Sequence, residues 1–235
     1  MILKVENLNV YIGTLNVLRG ISLEVDEDET VVLVGRNGAG KTSTLKSIIG
    51  LLNVKSGKVL FKEKNITNMP PHKVAKLGIG YCPEDRRIFP DLTAEENIEL
   101  AIWMGGNTNK EKEIWNTILS VFPELGSLRR RRGAHLSGGE QKMLSIARAL
   151  ALSPSLLLLD EPLEGLAPIV VKRLSEAIQR IKKLGISMLI AESNVKRAPL
   201  LGDRVYVIER GEIIFEGAPE EIYENKDVMR VFALI

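Results

Sequence analysis

Residues 35–42 read GRNGAGKT, which fits the pattern G-x-x-x-x-G-K-[ST] of a phosphate-binding loop. An apolar, β-branched run, Thr30–Val34, precedes it, and residues 42–51 carry helical spacing after it. Strand, glycine loop and helix are the context this motif needs. The glycines let successive backbone N–H groups turn inward around a polyphosphate, at the positive end of the helix dipole. Gly35, Arg36, Asn37, Gly38, Ala39 and Gly40 form that cradle. Lys41 can reach the β- and γ-phosphates as a flexible point charge. The Thr42 hydroxyl is placed to hold Mg²⁺, with Ser43 behind it as a further donor. By itself the loop specifies a nucleoside triphosphate and leaves its use open.

The chain has 235 residues, 45% hydrophobic and 26% charged, which is ordinary for a globular protein with a sizeable core. Lys plus Arg number 32 against 30 acids, so the net charge of +2 gives no electrostatic reason to expect nucleic acid. A single cysteine excludes an internal disulfide framework and fits a reducing compartment. MILKVENLNV alternates like a strand and lacks the basic-then-apolar layout of a signal peptide. No apolar run approaches the length of a membrane span. The expectation is a cytosolic protein that meets a membrane only through a partner.

Outward from the loop, residues 2–10, 21–25 and 58–62 read as short strands, with a turn at Gly13, and suggest an antiparallel sheet beside the nucleotide core. The acids at 26–29 read as a solvated turn. Tyr11 can stack on an adenine ring or pack on a sheet edge, and spacing does not choose. A short helix follows Pro70 and Pro71, then a strand at 79–82 in which Cys82 is a buried thiol with no paired histidine. Pro83 and Glu84 open an irregular stretch. Thr93 caps a helix to about Trp103, and a second helix spans about 110–122, a helical block inserted between core strands. The basic run at 129–132 reads as a solvated loop, with lipid headgroups or a membrane partner as the sharper alternative. In LSGGEQ, residues 136–141, Ser137 and Glu140 form a capping box before a helix to about Leu152, and the two glycines leave bare N–H groups.

A continuous apolar strand at 155–159 then delivers Asp160, Glu161 and Pro162 at its C-terminal end, where α/β proteins place chemistry. Asp160 can hold Mg²⁺, directly or through water. Glu161 can orient the attacking water or accept its proton for in-line attack on the γ-phosphorus. An amphipathic helix at 169–184 leads to the next buried strand, 187–191, ending at Glu192, Ser193 and Asn194. Two further strands and a helical segment close the chain, and the alternation implies a parallel α/β core.

The order GRNGAGKT, GYCPE, LSGGEQ, LLLLDEP resembles that of ABC-type ATPase subunits of membrane transporters, and LSGGEQ is the specific mark. The chain most resembles the smaller ATPase subunit of bacterial branched-chain amino-acid importers, through residues 70–100, GLAP at 165–168 and GEIIFEG at 211–217. The resemblance implies an α/β P-loop NTPase: one nucleotide-binding domain, 1–235, with a RecA-like parallel core, an antiparallel β subdomain and a helical subdomain at about 92–152. It implies ATP and Mg²⁺. Tyr11 would stack on adenine, Glu84 would stand at the Mg²⁺-contacting and relay position, and Glu161 would be the catalytic carboxylate. Ser137, Gly138 and Gly139 would bind the γ-phosphate of ATP held by the opposite subunit of a homo- or heterodimer. A permease helix would dock near residues 86–92, placing the chain on the cytoplasmic face of the membrane, with no nucleic-acid partner.

The departures also carry information. Ser193 falls where the family has a histidine, and this branch often a glutamine, that contacts the γ-phosphate; the shorter serine would need a bridging water. Leu163 replaces a usual Ser or Thr, Ala167 an aspartate, and Asp28 a glycine; Pro199 lies in an expected helix. The principal reading is an importer ATPase for branched-chain amino acids, with urea or short amides as the near alternative. A soluble non-transport ABC ATPase and a weakly hydrolysing ATP-binding scaffold, the latter motivated by Ser193, are the other classes.

Overall fold

The central strands are apolar throughout because both of their faces are covered. The structure, a computed structural model, describes residues 1–232, so the end of the expected 1–235 domain lies outside the described residues. Ten strands form two sheets among the described residues: β1 (Leu3–Ile12), β2 (Leu15–Val25), β3 (Thr30–Val34), β4 (Val54–Phe61), β5 (Lys64–Asn65), β6 (Ile79–Cys82), β7 (Leu156–Asp160), β8 (Ser187–Glu192), β9 (Arg204–Glu209) and β10 (Glu212–Gly217). One sheet has the order β10-β9-β3-β8-β7-β6, parallel except for β10 at its edge. The other is antiparallel, in the order β2-β1-β4-β5.

Successive side chains of a strand point to opposite faces. Val31 and Leu33 of β3, with Leu156 and Leu158 of β7, enter the core shared with the antiparallel sheet and α1 (Lys41–Ile48). Val32, Val34, Leu157 and Leu159 enter a second core on the opposite face. That core is filled from α3 (Ala94–Met104), α4 (Glu111–Val121), α5 (Leu125–Leu128), α6 (Gly138–Leu150), α7 (Pro168–Lys183) and α8 (Ala198–Leu201). A parallel sheet buried on both faces requires such uninterrupted apolar strands. Among the described residues the remaining α-helices are α2 (Pro71–Lys76) and α9 (Lys226–Val231).

The expected capping box at Ser137 forms, and the expected cap at Thr93 proves to be a full capping box as well. Thr93 Oγ1 accepts from Glu96 N–H at 3.2 Å and Ser137 Oγ from Glu140 N–H at 3.3 Å, while each glutamate accepts in return from the cap residue's N–H at 2.7 Å. Asp28 takes φ 59°, the left-handed conformation that its position demands. Pro199 falls in the first turn of α8, where its missing N–H has no helical partner to lose.

Several local expectations are corrected. β1, β2 and β4 run longer than the short strands read from sequence, because pairing with one another extends them through polar residues. The acids at 26–29 are not all solvated: Glu29 accepts a two-pronged pair from Arg204, at 2.8 and 2.9 Å. Arg204 also bonds Glu216, Tyr206 and the Glu24 carbonyl, and so joins the two sheets. Nor is the run at 129–132 simply a solvated loop. Its carbonyls at Arg131 and Arg129 accept from the Ala94 and Glu95 N–H groups, satisfying two donors that open α3. The Arg129 guanidinium lies 3.9 Å over the Trp115 ring and 3.2 Å from Glu95. No described helix is long and apolar enough to cross a membrane.

Candidate functional site

The register of the central sheet assembles the site. β8 lies between β3 and β7, with Val34 opposite Glu192 and Asp160 opposite Ala191. The three C-terminal ends are therefore level. The ladder continues one residue beyond them, through Gly35 N–H to Glu192 O at 3.3 Å and Glu161 N–H to Ala191 O at 3.0 Å. Residues remote in the chain thus meet at the carboxyl ends of parallel strands, the usual ligand edge of such sheets.

The loop is shaped by two tight approaches. A Cβ at Gly35 would lie 2.5 Å from the Ile208 carbonyl oxygen. Gly40 sits at φ 120°, and a Cβ there would meet Leu18 at 2.9 Å. The loop is pinned from below by the Gly211 N–H on the Ala39 carbonyl, at 2.8 Å. Arg36, Asn37 and Gly38 remain exposed, and no side chain caps α1 at Gly40. Free N–H groups at a helix start suit a phosphate.

Below the loop the charges pair closely. The Lys41 ammonium donates to Gly35 O at 2.7 Å and Arg36 O at 3.2 Å, and lies 3.0 Å from Glu161 Oε1. Both side chains are nearly inaccessible, at 5% and 4% exposure. Glu161 Oε2 accepts the Ser193 backbone N–H at 3.0 Å, and Glu161 itself sits at φ 44°. A left-handed glutamate is costly, about 1 kcal/mol or more, and such strain gathers at functional sites. Beside it, Asp160 Oδ1 accepts the Thr42 hydroxyl at 3.0 Å and Oδ2 the Tyr81 hydroxyl at 3.2 Å. Burial pushes the Asp160 carboxyl above the usual carboxylate range, against those two hydrogen bonds; Glu161 and Glu84 push it the same way as burial.

A family model described as "ABC transporter" matches residues 18–164, which include the loop, both acids and the LSGGEQ segment. The chain belongs to the ABC transporter family. Among its relatives is the high-affinity branched-chain amino acid transport ATP-binding protein BraG of Pseudomonas aeruginosa, 34% identical and covering 96% of this chain and 97% of the relative. The lipopolysaccharide export system ATP-binding protein LptB of Haemophilus influenzae is 36% identical, covering 98% and 96%. The ADP conformation of MJ1267, an ATP-binding cassette of an ABC transporter, superposes with a TM-score of 0.83 at 28% identity, covering 99% of this chain and 98% of that one. This chain is the ATP-hydrolysing subunit of a transporter.

Within this ABC cassette, Gly35 to Ser43, Asp160, Glu161 and Ser193 converge at one edge. Glu84 is exposed in the loop after β6, close enough to raise the Asp160 carboxyl's proton affinity. Ser193 meets Glu161 through its backbone. Ser137, Gly138 and Gly139 stand apart. The Ser137 hydroxyl caps its own helix and Gly138 lies against the Arg86 guanidinium; among the described residues neither bonds the phosphate loop. Tyr11 lies exposed near the end of β1, with the Lys55 ammonium 4.4 Å from its ring centre. It is not packed into the sheet.

Two side chains escaped the sequence reading. Tyr81 pairs opposite Leu158 on the neighbouring strand, so Asp160, two residues on, shares its face. Strand pairing is invisible in a sequence, although GYCPE contains the residue. Lys142 of α6 is 2% exposed and donates to the carbonyls of Pro83, Glu84 and Asp160, at 3.3, 3.1 and 3.4 Å. A lysine in a capped, amphipathic helix reads as a solvated face, and only packing reveals it as buried.

Proposed function

We propose that this chain powers import of branched-chain amino acids. It works as one of two ATPase subunits, a second copy or a related cassette, bound to integral-membrane permease subunits at the cytoplasmic face. The observation that carries this reading is the end-to-end likeness to BraG, together with the importer-like stretch at 70–100. The permease helix is assigned to the open cleft of ≈ 1460 Å³ that runs from Thr42 and Asp160 past Glu84, Arg86 and Arg87 to exposed Trp103 and Met104.

The residues suit Mg²⁺. Thr42 Oγ1 and Asp160 Oδ1 are 3.0 Å apart, and Glu84 adds a carboxylate nearby. One or two carboxylates completed by phosphate oxygens is the usual Mg²⁺ arrangement. The ion would neutralise charge on the β- and γ-phosphates. The chain's own groups do the rest. The loop N–H groups and Lys41 hold the phosphates, and Tyr11 stacks on the adenine. The Ser193 N–H fixes Glu161 Oε2. When Lys41 turns to a phosphate, Glu161 Oε1 is released to orient the attacking water and take its proton. Ser137, Gly138 and Gly139 close on the ATP of the opposite subunit.

Lipopolysaccharide export is the second reading, favoured by the comparable likeness to LptB. Reconstitution with the co-purifying permease in liposomes separates the two. Leucine-loaded binding protein should stimulate ATP hydrolysis and drive leucine uptake. Stimulation by lipopolysaccharide with no response to leucine overturns the importer reading, and stimulation by urea or short amides alone replaces its solute.

A further inference from the structure

We propose that Lys142 is a positioning residue that locks the Glu84 loop and the Asp160 strand end to the start of α6, so that both move with the LSGGEQ helix; this rests on the reading of Asp160 and Glu84 as the Mg²⁺ side of the site. An ammonium has three protons to donate. Here all three find main-chain carbonyls, two in the loop after β6, at Pro83 and Glu84, and one at the end of β7, at Asp160. Among the described residues no carboxylate pairs with it. A buried cation without an anion is costly, and glutamine or methionine would fill similar space without that cost. The arrangement is therefore a poor device for stability alone. It is well made for fixing three backbone points relative to one another.

The clamp sits five residues beyond the Ser137 cap. Gln141, one residue earlier, holds the Arg86 guanidinium at 3.0 Å; Ser145, one turn later, donates to the Arg86 carbonyl, and Arg148 donates to that of Arg87. Arg86 and Arg87 are both left-handed, at φ 61° and 45°, so the loop is held in a conformation it would not adopt freely. Four side chains of α6 thus grip residues 83–87. Lys142 alone extends that grip to Asp160. A shift of α6, which carries Ser137, Gly138 and Gly139, is transmitted through it to both acids.

The test uses Lys142→Met and Lys142→Gln in the full chain, with Asp160→Asn as control. Fluorescent-ATP affinity is measured in EDTA and across a Mg²⁺ titration, beside ATP hydrolysis. The Met variant should bind ATP in EDTA like wild type but need about fivefold more Mg²⁺ for half-maximal tightening, as expected from losing charge-assisted bonds. The Gln variant, which keeps two donors, should fall between. A folded Met variant with unchanged Mg²⁺ dependence overturns the clamp while Asp160→Asn remains impaired. If Asp160→Asn itself leaves Mg²⁺ dependence unaltered, the Mg²⁺ assignment falls and takes the clamp with it. Failure of both Lys142 variants to fold also overturns it, making Lys142 a folding residue.

Discussion

The Lys41 ammonium has three protons and three acceptors. It is engaged by Gly35 O, Arg36 O and Glu161 Oε1. A polyphosphate must therefore take Lys41 away from at least one of these before it gains the charge. Replacing Glu161 by glutamine exchanges a charged acceptor for a neutral one of the same shape. The Glu161→Gln variant should then bind ATP about fivefold more tightly, on the order of 1 kcal/mol, while losing roughly 10²-fold or more in hydrolysis, as expected from the proposed role of Glu161 as base. Equilibrium ATP titration of the two proteins checks this, and equal affinities would show that the buried pair does not compete with nucleotide. Ser193 belongs to the same unit. Its contact with Glu161 runs through the main chain, so the side-chain departure from histidine or glutamine leaves the carboxylate's anchor in place.

Element ends are where this chain's departures are easiest to weigh. α7 begins at Pro168 with Ala167 as its N-cap, in extended conformation and with no side-chain cap bond. α3 and α6, by contrast, start with full capping boxes. Ala167→Asp should supply the missing acceptor and a favourable charge at the dipole's positive end, raising unfolding free energy by about 1 kcal/mol. Urea denaturation would read this directly, and an unchanged midpoint would mean that the first turn of α7 finds other partners. Elements of this kind were legible beforehand. The caps at Thr93 and Ser137, β6 and the amphipathic α7 follow from spacings within a dozen residues. The lengths of β1, β2 and β4 were not, because their polar outer residues are held by neighbouring strands.

At the scale of the whole molecule, the phosphate loop and the LSGGEQ helix start are separate in one chain. The cleft that contains Thr42 and Asp160 is not lined by residues 137–139, and Ser137 is engaged with its own helix. If the second half of the site comes from another subunit, specific ATPase activity must rise with protein concentration, steeply below the dimerisation range. A specific activity independent of concentration over three decades, down to nanomolar protein, would contradict that arrangement. The sequence by itself determined the phosphate loop, the acid pair at Asp160 and Glu161, the capped helices and their order, because each is written in contiguous residues whose backbone preferences act locally. Only the tertiary structure decided that β8 runs between β3 and β7, that Ser193 anchors Glu161 through its N–H, that Lys41 is held by Glu161, and that Lys142 donates to the carbonyls of Pro83, Glu84 and Asp160. Strand order, register and burial depend on contacts between segments far apart in the chain, and no local periodicity encodes them.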